Sequence, residues 1–349
     1  MSKKYLLTKI CLDSQFDFCN YFCSLTGLPS TIILKLSRIE HVYSVYLIGE
    51  QLVFELFNNK DLILSENESI SVLEIWKYVS LFHDIGYGKE YQIKGDDSYN
   101  PNVVSSIYFA EILDIKNTTN NQWCVSYSVN QLMAYYAYTY QYYYNFEVSY
   151  AKNEHHEHGI LGGLLVSKLL RNNEPHNSKS SNRWKSLILG VSLTIAQHNI
   201  WPFEENERCK LSDYKLIFDS YGVNYKEFGH FKAGQLNDID LLSFLLCLSD
   251  SIEPLKNFYN DENVISCEYK DLVNDIANNF SIDCHKQRNN FFIKLSFQKC
   301  KSNKEFKTFF KKYLNKLKGA KRFLNLRIKT CAFKKEIIVC PKQLNVKWF

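Results

Sequence analysis

Apolar residues recur in steps of three and four through "TIILKLSRIEHVYSVYLIGEQLVFELF" (31–57). Ile33, Leu36, Ile39, Val42, Val45 and Tyr46 make the stripe, which predicts an amphipathic helix with His41 beside its apolar face. The polar stretch "NNKDLILSENES" (58–69) reads as a loop, with Ser69 or Ser71 placed to cap the next helix. That helix, "VLEIWKYVSLFHDIG" (72–86), sets Ile75, Val79 and Phe82 on one face. It delivers His83 and Asp84 at its end, just before a glycine turn at Gly86 and Gly88. Residues 88–153 break the pattern, being polar at first and then rich in tyrosine, and read as an insert. Helical spacing resumes in "HEHGILGGLLVSKLLRNN" (156–173) and in "RWKSLILGVSLTIAQHNIWP" (183–202), which Pro202 closes. A later run, "DIDLLSFLLCLSDSIEPLKNF" (238–258), is strongly apolar up to Cys247 and Leu248 and then turns to Asp250 and Glu253.

The pattern changes after that. "NNFFIKLSF" (289–297) alternates as a strand does, and "NKEFKTFFKKYLNKLKGA" (303–320) is a basic amphipathic helix stopped by Gly319. "FLNLRIKTCAFKKEIIVCP" (323–341) has room for two short strands. The expected architecture is therefore mainly α: a helical bundle over 1–263 with an inserted cap, and a small basic α+β appendage over 264–349.

Composition supports a packed protein. Of 349 residues, 46% are hydrophobic and 23% charged, which excludes wholesale disorder. Only 13 glycines and 6 prolines favour helix over a turn-rich sandwich. The net charge of +5 conceals an uneven distribution. About 20 Lys and Arg face about 6 Asp and Glu in 264–349, leaving that segment near +14 and the rest near −9. Eleven cysteines contain no CxxC pair, and the opening "MSKKYLLTKICLDSQ" has no long apolar run. Reduced thiols in a cytoplasmic protein are expected. No apolar stretch reaches the roughly 18 residues of a membrane span.

Candidate chemistry concentrates in the helical region. His41, His83, the triplet His155, His156 and His158, and His198 lie near helix ends or beside apolar stripes, joined by Asp84 and Asp250. Imidazole with carboxylate suits a first-row divalent ion, and helical proteins assemble such sites from facing side chains. Each residue also has a plainer reading. His41 suits a core position, His198 a helix C-cap, and Asp250 a cap for "SIEPLKNF".

The ordered set resembles the HD-domain metal-dependent phosphohydrolases. The residues that carry the resemblance are His41 in "RIEHVYSV", His83 and Asp84 in "LFHDIGYG", and Asp250 in "LLCLSDSIEP". The glycine after the HD pair matches the family's usual HD-x-G turn. His158 in "HEHGILGG" and His198 in "IAQHNIWP" fall where some members hold a second metal. The resemblance spans about 30–260 and implies one or two divalent ions (Mn, Fe, Ni, Co, Zn or Mg). It implies Asp84 as a bridging carboxylate and hydrolysis of a phosphoester in a nucleotide or nucleic acid. The ligand count leans to two ions and a phosphodiesterase-type site; a mononuclear nucleotidase and a non-catalytic nucleotide sensor are the alternatives. Lys89, just past the HD turn, is a candidate phosphate contact. The tyrosines of 135–144 suit either a packed helix face or base stacking, and the basic tail is a candidate nucleic-acid contact.

Overall fold

In the computed structural model the described residues are 18–28, 30, 38–57, 61–65, 68–85, 162, 163, 166, 169, 170, 173, 181–198, 238–259, 269–287, 290–298, 304–319, 324–331 and 334–341. The insert, the tyrosine cluster, Gly86, Gly88, Lys89 and the triplet with His158 lie outside them. The chain divides into two compact units, one of Met1–Asn58, Phe231–Leu236 and Leu245–Phe349, the other of Asn59–His230 and Asn237–Phe244.

The first unit opens with helix α1 (Phe18–Thr26). It closes on Gly27, whose φ of +73° is the left-handed conformation that ends a helix at little steric cost. Its N–H reaches back to the Cys23 carbonyl at 2.8 Å. Helix α2 (Ile39–Phe57) follows Arg38, itself at φ 53°, and its first bond runs from the Val42 N–H to the Arg38 carbonyl. The stripe read from the sequence is buried at Val42, Val45 and Tyr46, while Ile33 and Leu36 fall outside the described residues. Phe22 of α1 meets the edges of Tyr43 and Tyr46 from α2.

The rest of that unit overturns the mainly α expectation. Helix α6 (Lys270–Asn279) leads into strands β3 (Phe280–Gln287) and β4 (Asn290–Gln298). Helix α7 (Lys304–Gly319) then precedes β5 (Leu324–Cys331) and β6 (Lys334–Pro341). The four strands form an antiparallel sheet in the order β3-β4-β6-β5. With a further hairpin in the second unit, the described residues hold six strands beside seven α-helices.

The physical reason is the size of the core this sheet builds. Alternate residues Phe280 and Ile282, Phe291, Ile293, Leu295 and Phe297, and Ile337 and Val339 are all buried on one face. Helix α7 lays Phe306, Phe309, Phe310, Tyr313 and Leu317 on it at steps of three and four. Phe297 sits at the centre, with ring centroids 5.6–6.1 Å from Phe306, Phe309, Phe310 and Tyr313. Lys335 closes the edge, its ammonium 4.3 Å from the Phe310 ring centre.

The second unit contains hairpin β1 (Asp61–Ser65) and β2 (Glu68–Ser71), where the sequence suggested only a loop. Ser71 is the N-cap of α3 (Val72–Phe82), in extended conformation and without a side-chain capping bond. Ile75, Trp76, Val79 and Phe82 of α3 are buried. Helix α4 (Ser181–Gln197) packs against it, with Tyr78 edge-on to Trp184 and Glu74 paired to Arg183. The run around 162–170 is helical where described, and Val166 and Leu170 are fully buried. Helix α5 (Asp238–Ile252) contributes Asp238–Phe244 to this unit and the remainder to the first.

Candidate metal centre

His41 lies in the first turn of α2 and is fully buried, as is its neighbour Glu253. Its Nδ1 is 2.7 Å from Glu253 Oε2, and its Nε2 is 3.1 Å from Asp250 Oδ1. A carboxylate only accepts, so His41 donates Nδ1–H to Glu253 and Nε2–H to Asp250, and a metal ion bound at Nε2 would take the place of that second proton. Asp250 ends the apolar run of α5, and the Lys256 ammonium donates to both its oxygens, at 2.8 and 2.9 Å. Burial alone would raise the Asp250 carboxyl. The Lys256 ammonium, the His41 hydrogen bond and the Lys316 ammonium outweigh it and hold the group well below the usual carboxylate range.

The C-terminal region helps to build this cluster. Lys316 of α7 donates to the Asp250 backbone carbonyl at 3.2 Å, and the Tyr313 hydroxyl donates to the Ile252 carbonyl at 2.5 Å. Tyr259 accepts from the His41 N–H at 3.1 Å and donates to Glu40 at 2.9 Å. Burial first and then Glu40 push its phenol above the ordinary range, so the donor stays protonated.

In the second unit His83 directly follows α3 as its C-cap. Its Nδ1–H donates to the Ser80 carbonyl at 2.8 Å, and its Nε2 is 3.5 Å from Asp84 Oδ1. His198 repeats the device at the end of α4, its Nδ1–H donating to the Ile195 carbonyl at 2.5 Å. The rings of His83 and His198 lie 5.8 Å apart at 84°. Each turn of helix supplies a carbonyl three residues back, and a histidine at the terminus can fold onto it. All three imidazoles are therefore held through Nδ1.

His41, His83 and Asp84, all buried, each offer one ligand atom, and these atoms lie within 4.8 Å of one another. The group could hold a metal ion. Two imidazole nitrogens and a carboxylate oxygen fit a first-row divalent cation. Of the residues singled out in the sequence, these three are brought together, Asp250 is placed against His41, and His198 against His83. His158 and Lys89 lie outside the described residues.

Glu253, Lys256 and Lys316 were not picked out as site residues from the sequence. Glu253 had one signal, a carboxylate immediately before Pro254 in a turn. Lys316 had none, because it lies 66 residues from Asp250 in a helix that reads as solvent-facing and basic.

A scan against protein-family models and a search of curated proteins found no match to this chain.

Proposed function

We propose that this protein is a metal-dependent phosphohydrolase of the HD type, acting on a phosphoester of a nucleotide or nucleic acid. The observation that supports it is the buried His41, His83 and Asp84 group, whose ligand atoms lie within 4.8 Å of one another. A divalent ion held there would supply hydroxide near neutral pH and offset charge on phosphoryl oxygens. In this reading His41, His83, Asp84 and Asp250 would hold the first ion, with Asp84 the carboxylate suited to a shared role. His198, beside His83, and His158 serve the second ion. Lys89 and the ammonium groups of Lys256 and Lys316 supply positive charge for the substrate phosphate. A cytoplasmic location and nucleic-acid contact by the basic C-terminal region belong to the same proposal. No helix among the described residues is long and apolar enough to cross a membrane.

A second reading, a mononuclear nucleotidase, is favoured by one specific point. The three residues that share the 4.8 Å group are one ion's worth of ligands. Metal stoichiometry separates the two, with two equivalents per chain expected for the dinuclear enzyme and one for the other. The decisive assay presents nucleotides, cyclic dinucleotides and single-stranded DNA and RNA to the purified protein with Mn, Ni, Co or Mg. Turnover by the wild type that falls to background in Asp84→Ala is the expected result. Equal turnover by the two proteins sinks the catalytic reading, and metal binding without any turnover leaves a nucleotide-sensing protein.

A further inference from the structure

We propose that Glu253 is the positioning residue of this site: it fixes the His41 ring so that Nε2, and not Nδ1, is the nitrogen offered to a metal. The inference rests on the metal-centre reading and adds to it a residue outside the ligand set.

Glu253 is fully buried, and its two oxygens take three hydrogen bonds. Oε1 accepts from the Leu255 N–H at 2.7 Å. Oε2 accepts from the Lys256 N–H at 2.8 Å and from His41 Nδ1 at 2.7 Å. The two backbone donors open the short 3₁₀ turn Leu255–Phe258, whose helical partners do not exist at that end. Pro254 has no N–H of its own, so Glu253 is the side chain that can satisfy both. A buried carboxylate anchored in this way is rigid, since each rotamer change would strand two backbone donors in an apolar setting. Rigidity is what a positioning group needs. The third bond then transfers it to a ring 212 residues away, with His41 Nε2 left 3.1 Å from Asp250. Carboxylates that take the second N–H of a metal-binding histidine in this manner orient the ring and raise its basicity, and their loss typically costs about 10- to 100-fold in metal affinity.

Two variants and two readouts test this. In metal-free wild type, ¹⁵N-histidine NMR, assigned by the signal lost in His41→Gln, should show a proton on His41 Nδ1 that exchanges slowly with water. In Glu253→Ala that proton should exchange rapidly. Mn²⁺ affinity, measured by chelator competition on folded protein, should fall at least tenfold in Glu253→Ala. It should fall less in Glu253→Gln, which keeps a neutral acceptor for Nδ1–H. Melting in EDTA, recorded alongside, shows which variants fold; if Glu253→Ala does not, Glu253→Gln decides. A His41 Nδ1 without a proton, or Mn²⁺ affinities within twofold across wild type and folded variants, overturns the proposal. Wild type that binds none of Mn²⁺, Ni²⁺, Co²⁺ or Zn²⁺ overturns the metal-centre reading together with it.

Discussion

His41, His83 and His198 face one chemical problem and solve it in the same way. A buried imidazole must place its N–H groups, and each of the three donates Nδ1–H: two to a carbonyl at a helix end and one to Glu253. Asp250 has the opposite problem, a buried charge, and Lys256 answers it. Lys256→Met should therefore destabilise the protein by about 2–3 kcal/mol, somewhat less than the 3–5 kcal/mol of a fully buried pair, because both groups keep some solvent contact. Thermal unfolding in EDTA measures it. The pH dependence follows from the direction of the Asp250 shift. Its folded carboxyl titrates well below the usual carboxylate range, so its contribution is complete above about pH 4 and is lost as pH falls through the depressed value. Acid unfolding followed by circular dichroism should begin at higher pH in Lys256→Met than in wild type.

At the scale of elements, helix α7 and the sheet it covers hold the segment that carries Asp250 and Glu253. Phe297 is 1% exposed and ringed by five aromatic side chains, so Phe297→Ala should cost about 3–5 kcal/mol in urea denaturation. Tyr313→Phe keeps the packing and removes only the bond to the Ile252 carbonyl. It should cost about 1 kcal/mol in the same measurement, and a larger loss would mean the hydroxyl also orders the Asp250 turn. These elements differ in how far the sequence exposes them. Strands β4 and β5 are legible because apolar and polar residues largely alternate in them, and β6 as a short apolar run. Strand β3, "FSIDCHKQ", alternates as well, but a hairpin partner is what makes its short apolar set a buried face. The β1–β2 hairpin reads as a loop because its strands are short and set among polar residues, and cross-strand pairing is invisible to a local pattern.

For the molecule as a whole, the metal-centre reading has a consequence that needs no substrate. A ligand bound by the folded state alone adds RT ln(1 + [L]/Kd), about 2.7 kcal/mol at a hundredfold excess over Kd. Mn²⁺ added to the EDTA-treated protein should raise its melting temperature, and the rise should vanish in Asp84→Asn. Calorimetry of the two proteins checks it, with equal shifts counting against the site. The sequence by itself determined which residues are candidates for metal binding. His41, the HD pair, His198 and Asp250 stand at the ends or first turns of helices that hydrophobic spacing makes legible, and helical period is a local property. Only the tertiary structure decided that a mostly helical chain also builds a four-stranded antiparallel sheet, since a sheet exists through pairing between segments far apart in sequence. It alone also assigned Glu253 to His41, and Lys256 and Lys316 to Asp250. A buried polar group must find its partner wherever the fold brings one, and that distance in space is not written in the spacing along the chain.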